Sequence, residues 1–210
     1  MKPVFNQNDH GNIVILNGAP RSGKSSIATE IQNTFEGVWM NLGVDQFMNM
    51  TPQRYQPGIG LRPGGERPDL EPLINVMYQA MYESVAIYSR YGLNVVVDVG
   101  HHEGYSTSLG ILPNCARILK GLPVLFVGVK CTIENIMERR HETWKVGYTE
   151  DGKIPRPISL WQELVHVPGI YDMTVDTSVL SPKDCANLIQ KRLENGPPPT
   201  ALQKVAGLGL

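Results

Sequence analysis

Short apolar runs and longer amphipathic stretches alternate along the chain. Residues 12–17 (NIVILN), 94–98 (NVVVD) and 123–129 (PVLFVGV) are rich in β-branched residues and almost continuously hydrophobic. Strands buried on both faces of a parallel sheet have this composition, because neither face meets water. Residues 38–42 (VWMNL) and 172–176 (DMTVD) predict two weaker strands. Helical patterns lie between them, the first over 25–35, directly after a Gly-rich loop. Over 70–91, Leu73, Met77, Ala80, Met81, Ser84 and Tyr88 recur at three- and four-residue spacing, which predicts a long amphipathic helix. Residues 132–144 begin at Thr132, a candidate N-cap, and set Ile133, Ile136, Met137, Arg140 and Trp144 on one side. A last helix is expected over 181–194, where Ser-Pro suits an N-cap followed by the first helical position.

Strands alternating with helices predict an α/β fold with a mainly parallel, five-stranded sheet and helices on both faces. Residues 1–195 read as one domain. Two stretches rich in Pro and Gly interrupt the pattern, 51–72 and 145–157, and loops of such length in a domain carry function or move. The tail 196–210 follows a proline run that cannot extend a helix; it is expected to be flexible or to dock on a neighbour.

Composition narrows the classes. At 210 residues the chain can bury a substantial core, and its formal net charge of -1 argues against a nucleic-acid track or an anionic membrane surface. The polar start MKPVFNQNDHG lacks the apolar core of a signal peptide, and no run approaches membrane-spanning length. Cys115, Cys131 and Cys185 are widely spaced and fit buried thiols better than disulfides or zinc. A cytoplasmic protein is expected, with a homo-oligomer left open.

Candidate chemistry gathers first at Gly18, Ala19, Pro20, Arg21, Ser22, Gly23, Lys24, Ser25 and Ser26. The first eight of these fit the pattern GxxxxGK followed by Ser or Thr, between a predicted strand and a predicted helix. Glycines there let backbone N–H groups approach phosphate oxygens, and the helix start adds the positive end of its dipole. Lys24 can then reach the β- and γ-phosphates of ATP, and the Ser25 hydroxyl can ligate Mg²⁺. Asp98, closing the run VVVD, is the natural second ligand for Mg²⁺, directly or through water; alternatively it caps the next loop. A P-loop NTPase fold follows. Asp45, in LGVDQF, should emerge at the same carboxyl edge of the sheet. It can serve as general base toward an attacking hydroxyl, or stabilise a turn.

The segments ILNGAPRSGKSS, LGVDQF, VVVDVG, FVGVKC with the helix carrying Glu138, Arg139 and Arg140, and VH....YDMTVDTS resemble, in order over about 12–178, the chloramphenicol phosphotransferase family. That resemblance implies a P-loop kinase with a nucleoside-monophosphate-kinase-like fold, moving the γ-phosphate of ATP to the hydroxyl of a small molecule. It implies Asp45 as the base, alongside Lys24. It also implies an arginine-bearing lid, here 138–160, whose first arginine matches Arg140, or Arg139 under a one-residue shift. Such a guanidinium offers bidentate contacts to the charge of the transferring phosphoryl.

The sequence also departs from that family. Further arginines and a Gly-Asp-Arg segment are expected in the lid, whereas the chain reads HETWKVGYTEDGKIPRPISLW, with Lys145 and Arg156 as candidates to compensate. After Asp98 it reads VGHHEGY, and His101 and His102 are expected as solvated loop histidines within reach of the acceptor. Phe47, Met48, Met50, Tyr55, His102 and Tyr105 suit a neutral, ring-bearing alcohol such as chloramphenicol. Arg54, Arg62 and Arg67 in 51–72 would instead suit an anionic acceptor if they face inward, as for a nucleotide or nucleotide-sugar kinase of the related zeta-toxin type. A nucleotide-binding regulator without transfer activity is the alternative from another class. His166, Tyr171 and Asp172 match the family and are equally compatible with a structural role.

Overall fold

All five apolar runs form strands in the computed structural model, which describes residues 10–56, 67–145 and 147–208. They are β1 (Ile13–Asn17), β2 (Trp39–Asn41), β3 (Asn94–Val99), β4 (Val124–Lys130) and β5 (Met173–Asp176). Every pairing is parallel, in the order β2-β3-β1-β4-β5. Each crossover is therefore long enough to carry a helix.

Alternate residues of the strands serve two cores. Ile13, Ile15, Val95, Val97 and Phe126 face a cluster built with α3 (Glu71–Arg90) and α4 (Ile111–Ile118). Val14, Leu16, Val96, Leu125 and Val127 face a second cluster with α1 (Lys24–Thr34) and α7 (Pro182–Asn195). This two-sided burial is why β1 reads as an unbroken apolar run. The caps agree with the sequence pattern. Thr132 accepts from Asn135 N at the start of α5 (Ile133–Trp144), and Ser181 accepts from Asp184 N at the start of α7.

Four short helices were not expected: α2 (Val44–Met50), α4, α6 (Arg156–Leu164) and one in the tail. Pro113 sits in the first turn of α4, where a missing N–H costs nothing. Within 51–72 the chain forms single 3-10 turns at Gln53–Tyr55 and Pro68–Leu70. Arg62 lies outside the described residues.

The tail corrects an expectation. Residues Ala201–Ala206 form α8, with Ala201, Leu202 and Val205 buried in the same core as α3 and α4. Asp172 Oδ1 accepts from Thr200 N at 2.7 Å and Ala201 N at 3.0 Å, capping the new helix. Arg117 donates to Ala206 O and Leu208 O at its other end. The prolines end α7 as expected, but they lead into an apolar stripe that covers exposed core instead of a free end. Among the described residues no helix is long and apolar enough to cross a membrane, and the three cysteines are buried free thiols.

The strand order fixes the functional geography. With β1 central, the loop after it is flanked by the segment leaving β3 on one side and the segment leaving β4 on the other. Ligands of open parallel sheets bind along this carboxyl edge.

Candidate active site

Gly18 leaves β1 with its N–H donating to Val99 O at 3.1 Å. A Cβ at Gly18 would strike Val129 O, so the loop can turn this close to its neighbouring strand only without a side chain. Gly23, at φ 91, occupies the left-handed region and turns the chain into α1. Lys24 Nζ donates to Gly18 O and Ala19 O, both at 2.9 Å, spanning the loop. Burial holds its ammonium below the usual lysine range, against the opposing pull of the Asp98 and Asp45 carboxylates.

Ser25 Oγ donates to Asp98 Oδ2 at 2.6 Å, so the hydroxyl and the strand-terminal carboxylate meet although they are far apart in sequence. Asp98 stands beside Leu16 in the β1–β3 register, one residue before β1 ends. Gly43 explains the glycine of the GVD element. Its Cβ would collide with the Asp98 carboxylate, so the N-terminus of α2 approaches Asp98 only as glycine. Asp45 follows in the first turn of α2, where a carboxylate is favoured by the helix dipole.

Asp45, Asp98, Lys24 and Ser25 line one cavity of about 490 Å³. Val44 and Tyr78 form its wall beside β2 and β3. Toward β4 and β5 the wall passes to Arg139, Thr143, Thr177 and Leu180. An apolar crease of Phe47, Met48, Ile74, Met77 and Met81 shares Val44 and Tyr78 with the main cavity. Neither Tyr78, kept protonated by burial, nor the crease was singled out as a unit in the sequence, because their approach depends on how α2 meets α3.

Several site expectations are corrected. Arg140 does not line this cavity. Its guanidinium lies 4.9 Å from the Trp144 ring, and the residue borders a separate pocket of about 60 Å³ with Ala19, Pro20 and Ile158. Arg139 lines the main cavity instead. A single step along an α-helix rotates a side chain by about 100°, enough to carry it from one wall to another. Arg139 donates to Arg21 O at 3.2 Å, Thr177 Oγ1 at 3.1 Å and Thr177 O at 2.7 Å, tying the phosphate loop to the end of β5.

His101 and His102 are buried rather than solvated. His101 Nε2 lies 2.7 Å from Tyr82 Oη, and the His101 backbone N–H donates to Asn17 Oδ1 at 2.8 Å. Burial, and secondarily His102, pushes its pKa down to about 3. His102 packs against Tyr105, with ring centroids 4.6 Å apart, and edge-on to Trp161 at 5.6 Å. The two imidazoles and Tyr105 shape the loop after β3 and do not line the main cavity.

The acceptor-side expectations divide. Phe47 and Met48 line the crease, whereas Met50 is exposed and Tyr55 lies on the surface beneath Arg54. Arg67 is exposed and paired with Asp69. Neither Arg54 nor Arg67 lines the cavity or the crease. Tyr171 Oη accepts from Asn17 Nδ2 and meets His166 Nδ1, so this pair buttresses the end of β1 below the loop. Asp172 caps α8. Trp161, missed in the sequence, borders the main cavity beside Gly100, and its indole N–H is buried without a hydrogen-bond partner.

The donor set fits magnesium. A hydroxyl and a carboxylate at one edge leave further octahedral positions to phosphate oxygens and water, and Mg²⁺ is usually held so. No group of three or more His, Cys, Asp or Glu suited to an all-protein metal cage occurs among the described residues.

Residues 11–194 match the family described as chloramphenicol phosphotransferase-like protein. A curated protein of Mycobacterium tuberculosis (strain H37Rv), provisionally named an O-phosphotransferase, is 23% identical over 93% of this chain and 88% of its own length. The fold is similar to that of the Mycobacterium tuberculosis APS kinase CysC, solved with AMPPNP and APS. That likeness has a TM-score of 0.63 and 15% identity, covering 89% of this chain and 99% of the other. Acinetobacter baumannii shikimate kinase, solved with shikimate, aligns at a TM-score of 0.55 and 12% identity over 88% of this chain and 93% of its own.

Proposed function

The chain belongs to the chloramphenicol phosphotransferase-like family, so phosphoryl transfer is the premise, and we propose that it moves the γ-phosphate of ATP to the hydroxyl of a small, uncharged, largely apolar alcohol. The observation that carries this reading is the single cavity of about 490 Å³ bordered both by Asp45 and by the Lys24–Ser25–Asp98 group, with an apolar crease opening from the Asp45 side.

In this reading the loop amides from Gly18 to Ser26 and the Lys24 ammonium bind the phosphates. Ser25 and Asp98 would hold Mg²⁺, which when bound neutralises charge on the β- and γ-phosphate oxygens. The nucleoside lies toward Arg139, Thr177 and Leu180, on the β4–β5 side of the cavity. The acceptor lies on the β2–β3 side, its apolar body against Phe47, Met48 and Met77. Asp45 takes the hydroxyl proton as the acceptor oxygen bonds to the γ-phosphorus. The bond from that phosphorus to the β,γ-bridging oxygen breaks, and ADP departs. Trp161 offers its unpaired indole N–H as an orienting donor at the cavity wall.

An uncharged acceptor is favoured because Arg54 and Arg67 stand outside both spaces, one over Tyr55 and the other paired with Asp69. Chloramphenicol, with its 3-hydroxyl, is one compound of this class. The test is ADP release with Mg-ATP and a panel of neutral and anionic alcohols. Acceptor-stimulated turnover is expected with neutral ring-bearing alcohols. Asp45→Asn should lower it by about 10²–10⁴-fold while ATP still binds. Stimulation by nucleotides or sugar phosphates would favour the anionic alternative. Tight ATP binding with no acceptor from either class would favour a regulator.

A further inference from the structure

Among the described residues three cations line the main cavity: Arg21, Lys24 and Arg139. Two of them are committed. Lys24 spans the phosphate loop, and both terminal nitrogens of Arg139 are bound to Arg21 O and to Thr177. Arg21 differs. It sits in the middle of the phosphate loop at φ 66, a left-handed conformation that glycine adopts freely and a residue with a Cβ does not. Its Nε is buried with no hydrogen-bond partner. Its guanidinium lies 3.8 Å over the ring of Trp144, the last residue of α5. It also lies within the electrostatic reach of Asp45. A strained backbone that aims a cation into a nucleotide cavity invites a functional reading.

The lid gives that cation a task. Phosphoryl transfer needs positive charge on the three equatorial oxygens of the group in flight, and a planar guanidinium supplies it through paired N–H bonds. Among the described residues of 138–160, Arg140 faces the separate small pocket, the expected stand-ins Lys145 and Arg156 are exposed and line neither space, Lys153 pairs with Asp151, and Thr143 and Trp144 line the cavity. Arg139 reaches the cavity but is tied to Thr177.

We propose that Arg21 is a catalytic residue whose guanidinium moves from its resting place on Trp144 to contact the transferring γ-phosphoryl, so that the phosphate loop itself supplies charge that Arg139, held on Thr177, does not. This rests on the kinase reading above. As the acceptor oxygen–phosphorus bond forms and the bond to the ADP oxygen breaks, Arg21 exchanges no proton. It binds the spread charge more strongly than it binds the terminal phosphate of ATP. Trp144 serves as a parking surface: its π face holds the cation near the site, and a phosphate oxygen with two aligned N–H donors displaces it.

The test needs no knowledge of the acceptor. Binding of Mg-ADP is compared with binding of Mg-ADP plus aluminium fluoride, a mimic of the phosphoryl group in flight, by calorimetry. The wild-type chain should bind the mimic more tightly. Arg21→Gly, which suits the left-handed backbone, should keep ADP affinity and lose about 100-fold or more of that tightening. Arg21→Lys, which keeps the charge without the planar fork, serves if the glycine variant does not fold, and should lose at least about tenfold. Trp144→Ala should keep the tightening, because the guanidinium remains.

Equal tightening in wild type and in Arg21→Gly, or in Arg21→Lys if that variant has to stand in, would refute the role of Arg21 while leaving the kinase reading intact. Loss of tightening in Trp144→Ala as deep as in Arg21→Gly would reduce the pair to a structural clasp and also overturn it. No tightening in wild type would sink the transfer reading, and this role with it.

Discussion

The docked C-terminal helix can be tested through Leu202→Ala. Leu202 is 5% exposed and packs in the core formed with α3, α4 and β4. Truncation removes three carbons, worth about 0.8 kcal/mol each in transfer free energy. The void adds to this, and buried leucine-to-alanine changes cost about 2–5 kcal/mol in total. Some relief is expected, because α8 is only six residues long, so about 3 kcal/mol is a working figure. For a domain of this size each kcal/mol lowers Tm by about 2–4 °C, which gives a fall of about 6–12 °C. Differential scanning calorimetry measures it. Lys204→Ala, on the exposed side of the same helix, is the control and should stay within about 0.5 kcal/mol. ATP affinity should be unchanged in both variants, because α8 belongs to the α3–α4 core and does not border the cavity. A Leu202→Ala protein melting within a degree of wild type would show that the tail carries no core packing, and the docking argument would fail.

Two further outcomes can be checked. Gly43→Ala places a methyl group against the Asp98 carboxylate, an overpacking that costs about 1–3 kcal/mol and pushes Asp98 off Ser25. The Mg²⁺ concentration needed for half-maximal ATP turnover should rise, and an unchanged requirement would contradict the close approach. His101 titrates at about 3 in the folded chain because of burial and then His102, against an ordinary 6.5. Between those values the unfolded chain binds a proton that the folded chain does not, so this group's effect on stability is nil above about 6.5 and grows adverse as pH falls toward 3. His101→Asn should flatten that limb of a plot of urea midpoint against pH, and an unaltered limb would argue against a buried neutral ring.

Properties that depend on nearest neighbours were legible in the chain itself. Strand runs announced themselves because central strands of a parallel sheet are apolar on both faces, as Ile13 to Leu16 are. The phosphate loop did so because its turn, its amides and its Lys24 occupy consecutive positions. Thr132 and Ser181 marked helix starts through bonds to residues three positions on. Asp45 and Asp98 could be assigned to one edge of the sheet, since each lies at or just beyond the end of a strand.

Tertiary structure decided whatever depends on which elements lie side by side. A single residue step along α5 separates a side chain in the cavity from one in a proline-lined pocket, and periodicity could not say which of Arg139 and Arg140 faced the main cavity. His101 and His102 looked like loop residues, yet Tyr82, Tyr105 and Trp161, brought in from the helices and loops around them, enclose the pair. Residues 201–206 read as a tail because an apolar stripe of this length has no meaning until a bare patch of core exists to receive it. Arg21 was one more loop position until its backbone angle and its stacking on Trp144 were seen. Local chemistry is written in contiguous residues, whereas burial, orientation and charge pairing arise from distant segments that only the sheet order β2-β3-β1-β4-β5 brings together.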